Sequence, residues 1–427
     1  MKILIKHGLI VDPYQKINEA GNILIEDGKI KSYPEDTKGQ ENDSSVQVID
    51  ASQKIVAPGF IDMHVHLREP GFEYKETIRT GCLAAAAGGF TSVVCMPNTN
   101  PINDNASVTE YILFKARTEG VVNVFPVGAI TKEEKGEILA EIGEMHEAGC
   151  VAISDDGRPV MDSGVMRHAM EYVKAFGIPV IDHAEDLNLT ASGVMNEGFT
   201  STKLGLKGIP NASEEVMVAR DLMLAELTGA HLHVAHVSTA GSVRLIRDAK
   251  KRGVRVTAEA TPHHFTLTDK VILGYDTNAK VNPPIRGQED VEAIREGLRD
   301  GTIDVIATDH APHSEDEKKV EFDLAPFGIS GLETALPLAL KLVSDGVLTL
   351  PELIKKLTYS PAQIIGIDRG TLKVGAVADV VIFDPDKAVT VDRDKFRSKG
   401  KNTPFHGWQL SGCVFYTIVG GKVIFSG

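Results

Sequence analysis

Short apolar runs alternate with amphipathic stretches through the middle of the chain, from about residue 56 to residue 365. This alternation is typical of buried parallel strands connected by helices. The intervening stretches at 132–148, 163–176, 214–228 and 287–299 are predicted to be helical. The eight apolar runs predicted as strands are 60–66, 91–96, 122–129, 150–156, 179–183, 231–236, 255–260 and 304–309.

Eight such runs favour an α/β fold of the (β/α)8 TIM-like barrel type, because eight parallel strands close into a cylinder. A doubly wound open sheet is the alternative that the pattern leaves open. The barrel is predicted to occupy residues 56–365.

Both ends of the chain have the character of β structure instead. An Asp27-Gly28 pair and a Gly420-Gly421 pair each separate two short apolar runs, which is a hairpin signal. We therefore predict one small β-sandwich domain formed by both termini, with residues 1–55 as its first part and 366–427 as its second. The polar segment 36–46, within the first part, is predicted to be a mobile loop.

Composition narrows the class of protein. The 427 residues are 42% hydrophobic and 24% charged, with a formal net charge of −14, which argues against nucleic acid or an anionic membrane as the main partner. No apolar run approaches the roughly 18 residues that a membrane span needs, and the first residues do not resemble a signal peptide. The four cysteines are scattered without a CxxC pair, so a reducing cytoplasm is expected.

Side chains that bind metals stand where the predicted strands end, which is where a barrel of this kind carries its chemistry. His64 and His66 lie two residues apart and can therefore reach one ion from the same side of a strand. A single histidine often stands at the end of a strand by chance. Here, however, several predicted strands end in a side chain that can bind a metal. The complete set of candidate ligands is His64, His66, Asp156, His183, His236 and Asp309.

Strand alternation refines two of these choices. In the fourth run Ala152 and Ser154 share a face with Asp156, which favours Asp156 over Asp155. In the sixth run, Leu232 and Val234 are expected to face the barrel interior together with His236. His231 and His233 would then point at the helices and be structural. Six ligands with one shared carboxylate suit two zinc ions better than one.

Several motifs resemble those of the dihydroorotase family, within the amidohydrolase superfamily. They occur in the family's order and span essentially the whole chain. The similar segments are 59–71 (GFIDMHVHLREPG), 96–99 (MPNT), 154–157 (SDDG), 182–186 (DHAED), 236–239 (HVST), 282–284 (NPP) and 307–313 (ATDHAPH), followed by Lys318.

The resemblance implies a metal centre with two Zn²⁺ per chain. It assigns His64, His66, Asp156 and Asp309 to one ion, and Asp156, His183 and His236 to the other, with Asp156 bridging. Many relatives use a carboxylated lysine as the bridge, but no lysine lies between Lys135 and Lys174. In this respect the chain resembles a bacterial class of the family, whose members often associate with aspartate transcarbamoylase.

The resemblance also implies a cyclic-amide substrate, L-dihydroorotate, with Asp309 as the acid–base group. Arg68 would hold the substrate carboxylate, although a structural salt bridge is the alternative. Asn98 and Asn282 stand in proline-rich turns, where capping of the backbone competes with a role in binding. The complete set of expected substrate contacts is Arg68, Asn98, Asn282, His313, Phe327 and Gly328.

Two other functions remain open at the level of sequence. One is a different cyclic amidase of the hydantoinase, dihydropyrimidinase or allantoinase type, against which Arg68 and the missing bridging lysine both count. The other is a non-catalytic scaffold for aspartate transcarbamoylase, against which the complete ligand set counts. The resemblance leaves a homo-oligomer possible without specifying it.

Overall fold

A computed structural model describes residues 2–32 and 45–427, so most of the loop predicted at 36–46 lies outside the described residues. The strands, in chain order, are β1 (Lys2–Asp12), β2 (Ile17–Glu26), β3 (Lys29–Ser32), β4 (Val46–Asp50), β5 (Ile55–Pro58), β6 (Phe60–Val65), β7 (Phe90–Cys95), β8 (Asn123–Gly128), β9 (Ala152–Ile153), β10 (Val180–Asp182), β11 (Met195–Asn196), β12 (Gly208–Ile209), β13 (Leu232–Val234), β14 (Val256–Ala260), β15 (Val305–Ile306), β16 (Val380–Thr390), β17 (Gln409–Val419) and β18 (Lys422–Ser426).

Helices connect the middle strands. They are α1 (Ile78–Ala87), α2 (Ala106–Glu119), α3 (Ile142–Ala148), α4 (Ser163–Val173), α5 (Leu187–Thr190), α6 (Phe199–Leu204), α7 (Ala212–Thr228), α8 (Ala240–Lys251), α9 (Pro262–Thr266), α10 (Gln288–Asp300), α11 (Glu315–Lys318), α12 (Ala335–Ser344), α13 (Leu350–Leu357) and α14 (Tyr359–Ile364). Short 3-10 helices cover Lys132–Glu134, Asp269–Gly274, Thr277–Ala279 and Arg393–Lys395.

Eight parallel strands form the predicted barrel, in the order β6, β7, β8, β9, β10, β13, β14 and β15. Seven of the eight predicted runs contain one of these strands, and β7 begins one residue before the remaining run, 91–96. The barrel is nearly closed, because Val65 pairs in parallel with His310 beyond the end of β15. The (β/α)8 prediction is therefore confirmed.

Strands from both termini form a separate eight-stranded sheet, as predicted. Its order is β18, β17, β16, β5, β1, β2 and β3, with β4 paired to β1. Asp27 and Gly28, like Gly420 and Gly421, adopt positive φ in the two hairpin turns, which matches the right-handed twist of the flanking strands. The domain limits at residues 55 and 365 stay a prediction.

The helices begin where side chains accept hydrogen bonds from first-turn amides. Thr77, Asn105, Asp162 and Thr239 do this for α1, α2, α4 and α8, and each satisfies donors that the helix cannot use itself. In the described ranges, no helix has the length and apolar character to cross a membrane.

The helix predicted over 132–148 is wrong in its first half. Glu133, Glu134 and Gly136 all adopt positive φ, which a right-handed helix does not allow, and only α3 is helical beyond the 3-10 turn. The turn is held by Asp155, which accepts hydrogen bonds from the amides of Ile130 and Thr131. Tertiary contacts override the local helical pattern here.

Candidate active site

Six polar side chains meet at the carboxyl ends of the barrel strands. His64 lies within β6, the other five follow β6, β9, β10, β13 and β15, and all six are buried. Two overlapping groups within this cluster could hold metal ions: His64, His66 and Asp156 form one, while Asp156, His183 and His236 form the other. The cluster thus contains all of the predicted ligands: His64, His66, Asp156, His183, His236 and Asp309.

Asp156 lies at the centre of the cluster. Its Oδ1 is 3.4 Å from His64 Nε2 and 3.8 Å from His236 Nε2, and its Oδ2 is 3.4 Å from His66 Nε2. His183 Nδ1 lies 3.7 Å from the same Oδ1. One carboxylate therefore faces both groups of histidines.

Asp309 completes the first group. Its Oδ1 is 3.1 Å from His66 Nε2 and 3.7 Å from His64 Nε2. Burial acts to raise the pKa of Asp309, but the hydrogen bond with His66 and the neighbouring histidines hold it at about 2. The carboxylate is accordingly ionised at neutral pH.

Unpartnered polar atoms test whether the cluster suits a metal. Within the described residues, the buried atoms His64 Nε2 and Asp156 Oδ1 have no hydrogen-bond partner. Burying such atoms without a partner is unfavourable in free energy, and binding of a cation would satisfy both. Imidazole nitrogen and carboxylate oxygen are donors that zinc accepts, so the residues fit the expected metal.

The far nitrogens of three histidines are held by other side chains. His64 Nδ1 is 2.7 Å from Glu259 Oε1, and His66 Nδ1 is 2.9 Å from Asn98 Oδ1. His183 Nε2 is 3.0 Å from Glu185 Oε2. These contacts fix the orientation and tautomer of each ring, so that its other nitrogen faces the cluster.

The expectation for the sixth run is wrong about which side chains face inward. Leu232 and Val234 pack in the apolar layer between strands and helices, whereas His233 lies inside, with its Nε2 3.1 Å from Glu259 Oε2. His236 nevertheless reaches the cluster, because β13 ends at Val234 and His236 adopts a φ of 29°. A change in backbone direction places this side chain, and strand alternation does not.

Backbone strain recurs at the site. Besides His236, the non-glycine residues Arg68 and Asp309 adopt positive φ, of 63° and 47°. Such conformations cost free energy and are concentrated where the surrounding structure imposes a functional geometry.

A cavity of about 540 Å³ opens onto the cluster, and all of the expected substrate contacts line it. Arg68 Nε donates to the Pro312 carbonyl, while Nη2 is 3.4 Å from His313 Nε2. In the described part of the chain Arg68 makes no ion pair within 4.0 Å, so the structure lacks the salt bridge considered as its alternative role. The set is Arg68, Asn98, Asn282, His313, Phe327 and Gly328.

Asn98 contacts the cluster directly, and Asn282 contacts Glu185, which holds His183. Asn98 Nδ2 is 3.3 Å from Asp156 Oδ2, and Asn282 Nδ2 donates to Glu185 Oε2 at 3.0 Å. Gly328 has a φ of 145°, and a Cβ there would lie 2.6 Å from the Ala311 carbonyl oxygen. The wall of the cavity at this point requires glycine.

Sequence reasoning missed Glu259, Glu185 and Arg158. Glu259 is buried in β14, and the histidines around it hold its pKa below the usual range although burial acts to raise it. A carboxylate between two alanines in a predicted buried strand was the available signal. Glu185 follows His183 by two residues, and Arg158 follows Asp156 in the same way, but neither spacing alone identifies a role.

Comparison with known proteins identifies two families. The family described as Dihydro-orotase-like matches residues 53–242, and the Amidohydrolase family matches residues 326–425. A dihydroorotase of Geobacter metallireducens is 60% identical over 425 residues, covering 100% of both chains. A dihydroorotase of Pelotomaculum thermopropionicum is 60% identical over 99% of this chain and 98% of its own length.

Solved structures share the fold at lower identity. An L-hydantoinase (dihydropyrimidinase) from Arthrobacter aurescens superimposes with a TM-score of 0.87 at 28% identity, over 99% of this chain and 96% of its own. A D-hydantoinase (dihydropyrimidinase) from Thermus sp. gives a TM-score of 0.83 at 25% identity, over 99% and 95%. This chain thus shares its fold with these solved hydantoinases, while its sequence is far more similar to those of the dihydroorotases.

Proposed function

Because the chain belongs to the dihydroorotase family of metal-dependent hydrolases acting on cyclic amides, we propose that its cavity interconverts L-dihydroorotate and N-carbamoyl-L-aspartate. This reaction is the ring-forming step of de novo pyrimidine synthesis. The observation that carries the proposal is the convergence of Arg68 and the histidine–aspartate cluster on one cavity. The cluster suits hydrolysis of an amide, and Arg68 suits a substrate that also carries a carboxylate.

We propose two zinc ions as the cofactor. His64, His66, Asp156 and Asp309 would hold one, and Asp156, His183 and His236 the other, with Asp156 shared. The position of Asp156 between both histidine groups supports this division. When bound, zinc lowers the pKa of water and polarises the amide carbonyl.

Asp309 is proposed to move the proton. Its ionised carboxylate takes a proton from the attacking water and gives it to the ring nitrogen as the carbon–nitrogen bond breaks. In the direction of synthesis, Asp309 takes the proton from the carbamoyl nitrogen and returns it to the departing water. Ring closure converts a carboxylate into a neutral amide and consumes a proton, so lower pH favours the cyclic form.

Substrate is proposed to bind through the six residues that line the cavity wall. The guanidinium group of Arg68 pairs with the substrate carboxylate, supported by its lack of a carboxylate partner within the described ranges. Asn98, Asn282 and His313 offer further polar groups, and Phe327 and Gly328 offer backbone atoms. We further propose a cytoplasmic location, because the four cysteines are scattered without a CxxC pair, and association with aspartate transcarbamoylase, because the sequence resembles a bacterial class that often shows it.

A substrate comparison with metal analysis tests the proposal. Purified protein is expected to contain close to two zinc ions per chain and to hydrolyse L-dihydroorotate but not hydantoin. The same assay with added aspartate transcarbamoylase measures any dependence on that partner. Hydantoin as the better substrate would assign the cavity to the hydantoinase type, and a metal-bound protein inactive on both compounds would indicate a scaffold.

A further inference from the structure

The ammonium group of Lys318 is buried behind the wall of the substrate cavity. Lys318 is the last residue of α11, five residues beyond His313, and only 5% of its surface is exposed. Its Nζ donates hydrogen bonds to three backbone carbonyl oxygens, at 2.7 Å to Pro326, 3.0 Å to Thr277 and 3.4 Å to Lys280. All three donors of the ammonium group are therefore used.

This burial is unfavourable unless the charge is compensated. Lys318 makes no ion pair within 4.0 Å in the part of the chain that the structure describes, and burial lowers its pKa to about 7. Lysine is rarely buried without a carboxylate partner, because removing an ammonium group from water is expensive. The carbonyl oxygens provide the compensation, and an apolar side chain would avoid the cost of desolvation altogether.

The three carbonyls belong to two segments that form the cavity wall. Residues 277–282 end at Asn282, and residues 326–328 include Phe327 and Gly328. The segments also meet directly, since Gly328 N donates to the Lys280 carbonyl at 2.9 Å. His313, at the start of the segment that carries Lys318, lies 2.8 Å from the Phe327 carbonyl through its Nε2.

We propose that Lys318 is a positioning residue for substrate binding, which joins these three segments so that their contacts face the cavity together. The inference deepens the proposed function and rests on it. Lys318 does not line the cavity and lies outside the histidine–aspartate cluster, so it acts through the segments that it joins. Without its hydrogen bonds, the segments would lose their relative placement while the metal ligands kept theirs.

The test replaces Lys318 by methionine, which keeps the length of the side chain and removes the charge and the donors. Lys356→Met is the matched control. Lys356 is also buried, donates to the carbonyl oxygen of Ile303 at 2.6 Å, and has its pKa lowered by burial to about 8, but it lies on α13 away from the cavity. Both variants remove a buried ammonium group of comparable cost.

Steady-state kinetics, zinc content and melting temperature are measured for both variants and the unchanged protein. Lys318→Met is expected to raise the KM for L-dihydroorotate about 10-fold or more, with kcat changed less than about 3-fold and zinc content unchanged. Lys356→Met is expected to keep the KM, whatever its effect on the melting temperature. The split between KM and kcat distinguishes positioning of substrate from general stability.

Lys318→Leu carries the same test if the methionine variant fails to fold, since leucine also removes the charge and every N–H donor of the side chain. A KM within 2-fold of the unchanged protein in a folded Lys318 variant would overturn the inference, as would equal KM increases in the Lys318 and Lys356 variants. Failure of the unchanged protein to act on L-dihydroorotate would instead overturn the proposed function itself.

Discussion

At the scale of single residues, Asp309 belongs both to the metal cluster and to the wall of the substrate cavity. Its Oδ1 faces His64 and His66 in the metal cluster, and the residue also lines the substrate cavity. The positive φ at this position turns the carboxylate away from the direction of the preceding strand. A group that is both ionised and exposed to substrate is placed to transfer a proton.

Replacing Asp309 by asparagine is therefore expected to keep the fold and much of the metal, since the amide oxygen occupies the same position. Turnover should fall by about 10²–10⁴-fold or more, the usual range for a positioned acid–base group. Kinetics and elemental analysis on the same preparation provide the measurement. Retention of more than a tenth of the activity would exclude Asp309 as the proton carrier.

At the scale of elements, β14 has a role that was not predicted from its sequence. This strand supplies none of the six candidate ligands. Its Glu259 instead lies between His64 of β6 and His233 of β13, and it also accepts a hydrogen bond from the amide of His236 at 3.2 Å. One carboxylate thus fixes the orientation of histidines from two other strands, β6 and β13.

Glu259→Gln should weaken zinc binding about 10–100-fold, because His64 loses the anionic acceptor that orients its ring. Competition with a chelator measures the affinity. Glu333→Gln is the control, since Glu333 is a largely buried carboxylate that accepts hydrogen bonds from the amides of Arg397 and Ser398 and, within the described residues, neither belongs to the cluster nor lines the substrate cavity. Equal zinc affinity in the Glu259 variant and the unchanged protein would show that β14 does not support the metal site.

At the scale of the whole molecule, the site exists only when the barrel is folded, because its ligands follow five different strands. No lysine lines the cavity among the described residues, and Asp156 occupies the centre of the cluster. An aspartate is ionised as translated, whereas a carboxylated lysine requires the addition of carbon dioxide. Metal that binds only the folded chain also stabilises it.

Zinc added to the metal-free protein in bicarbonate-free buffer should accordingly restore full activity and raise the melting temperature, and added bicarbonate should change neither. Reconstitution with and without bicarbonate, with metal content followed in parallel, is the measurement. A strong requirement for bicarbonate would mean that a lysine reaches the cluster and that Asp156 is not the shared ligand.

The elements and the chemistry of the site were predictable from the sequence alone. Apolar runs of strand length bounded by helices indicated eight parallel strands, and that number favoured a barrel over an open sheet because eight parallel strands close into a cylinder. The six candidate ligands were visible as well, because strand ends converge in this fold: His64 lies within β6, and Asp156 and Asp309 each stand three residues beyond a strand. Local pattern was sufficient wherever a side chain simply continued its strand.

Features that depend on contacts between distant segments were not predictable from local pattern and were set by the tertiary fold. His236 reaches the cluster through a turn of the backbone, against the alternation of its strand, and Glu259 acquires its role from partners on other strands. Lys318 likewise contacts carbonyl groups about 40 residues earlier in the chain, which no spacing in the sequence reveals. The periodicity of a sequence indicates which face of an element is buried. Tertiary packing determines which groups contact a buried polar side chain.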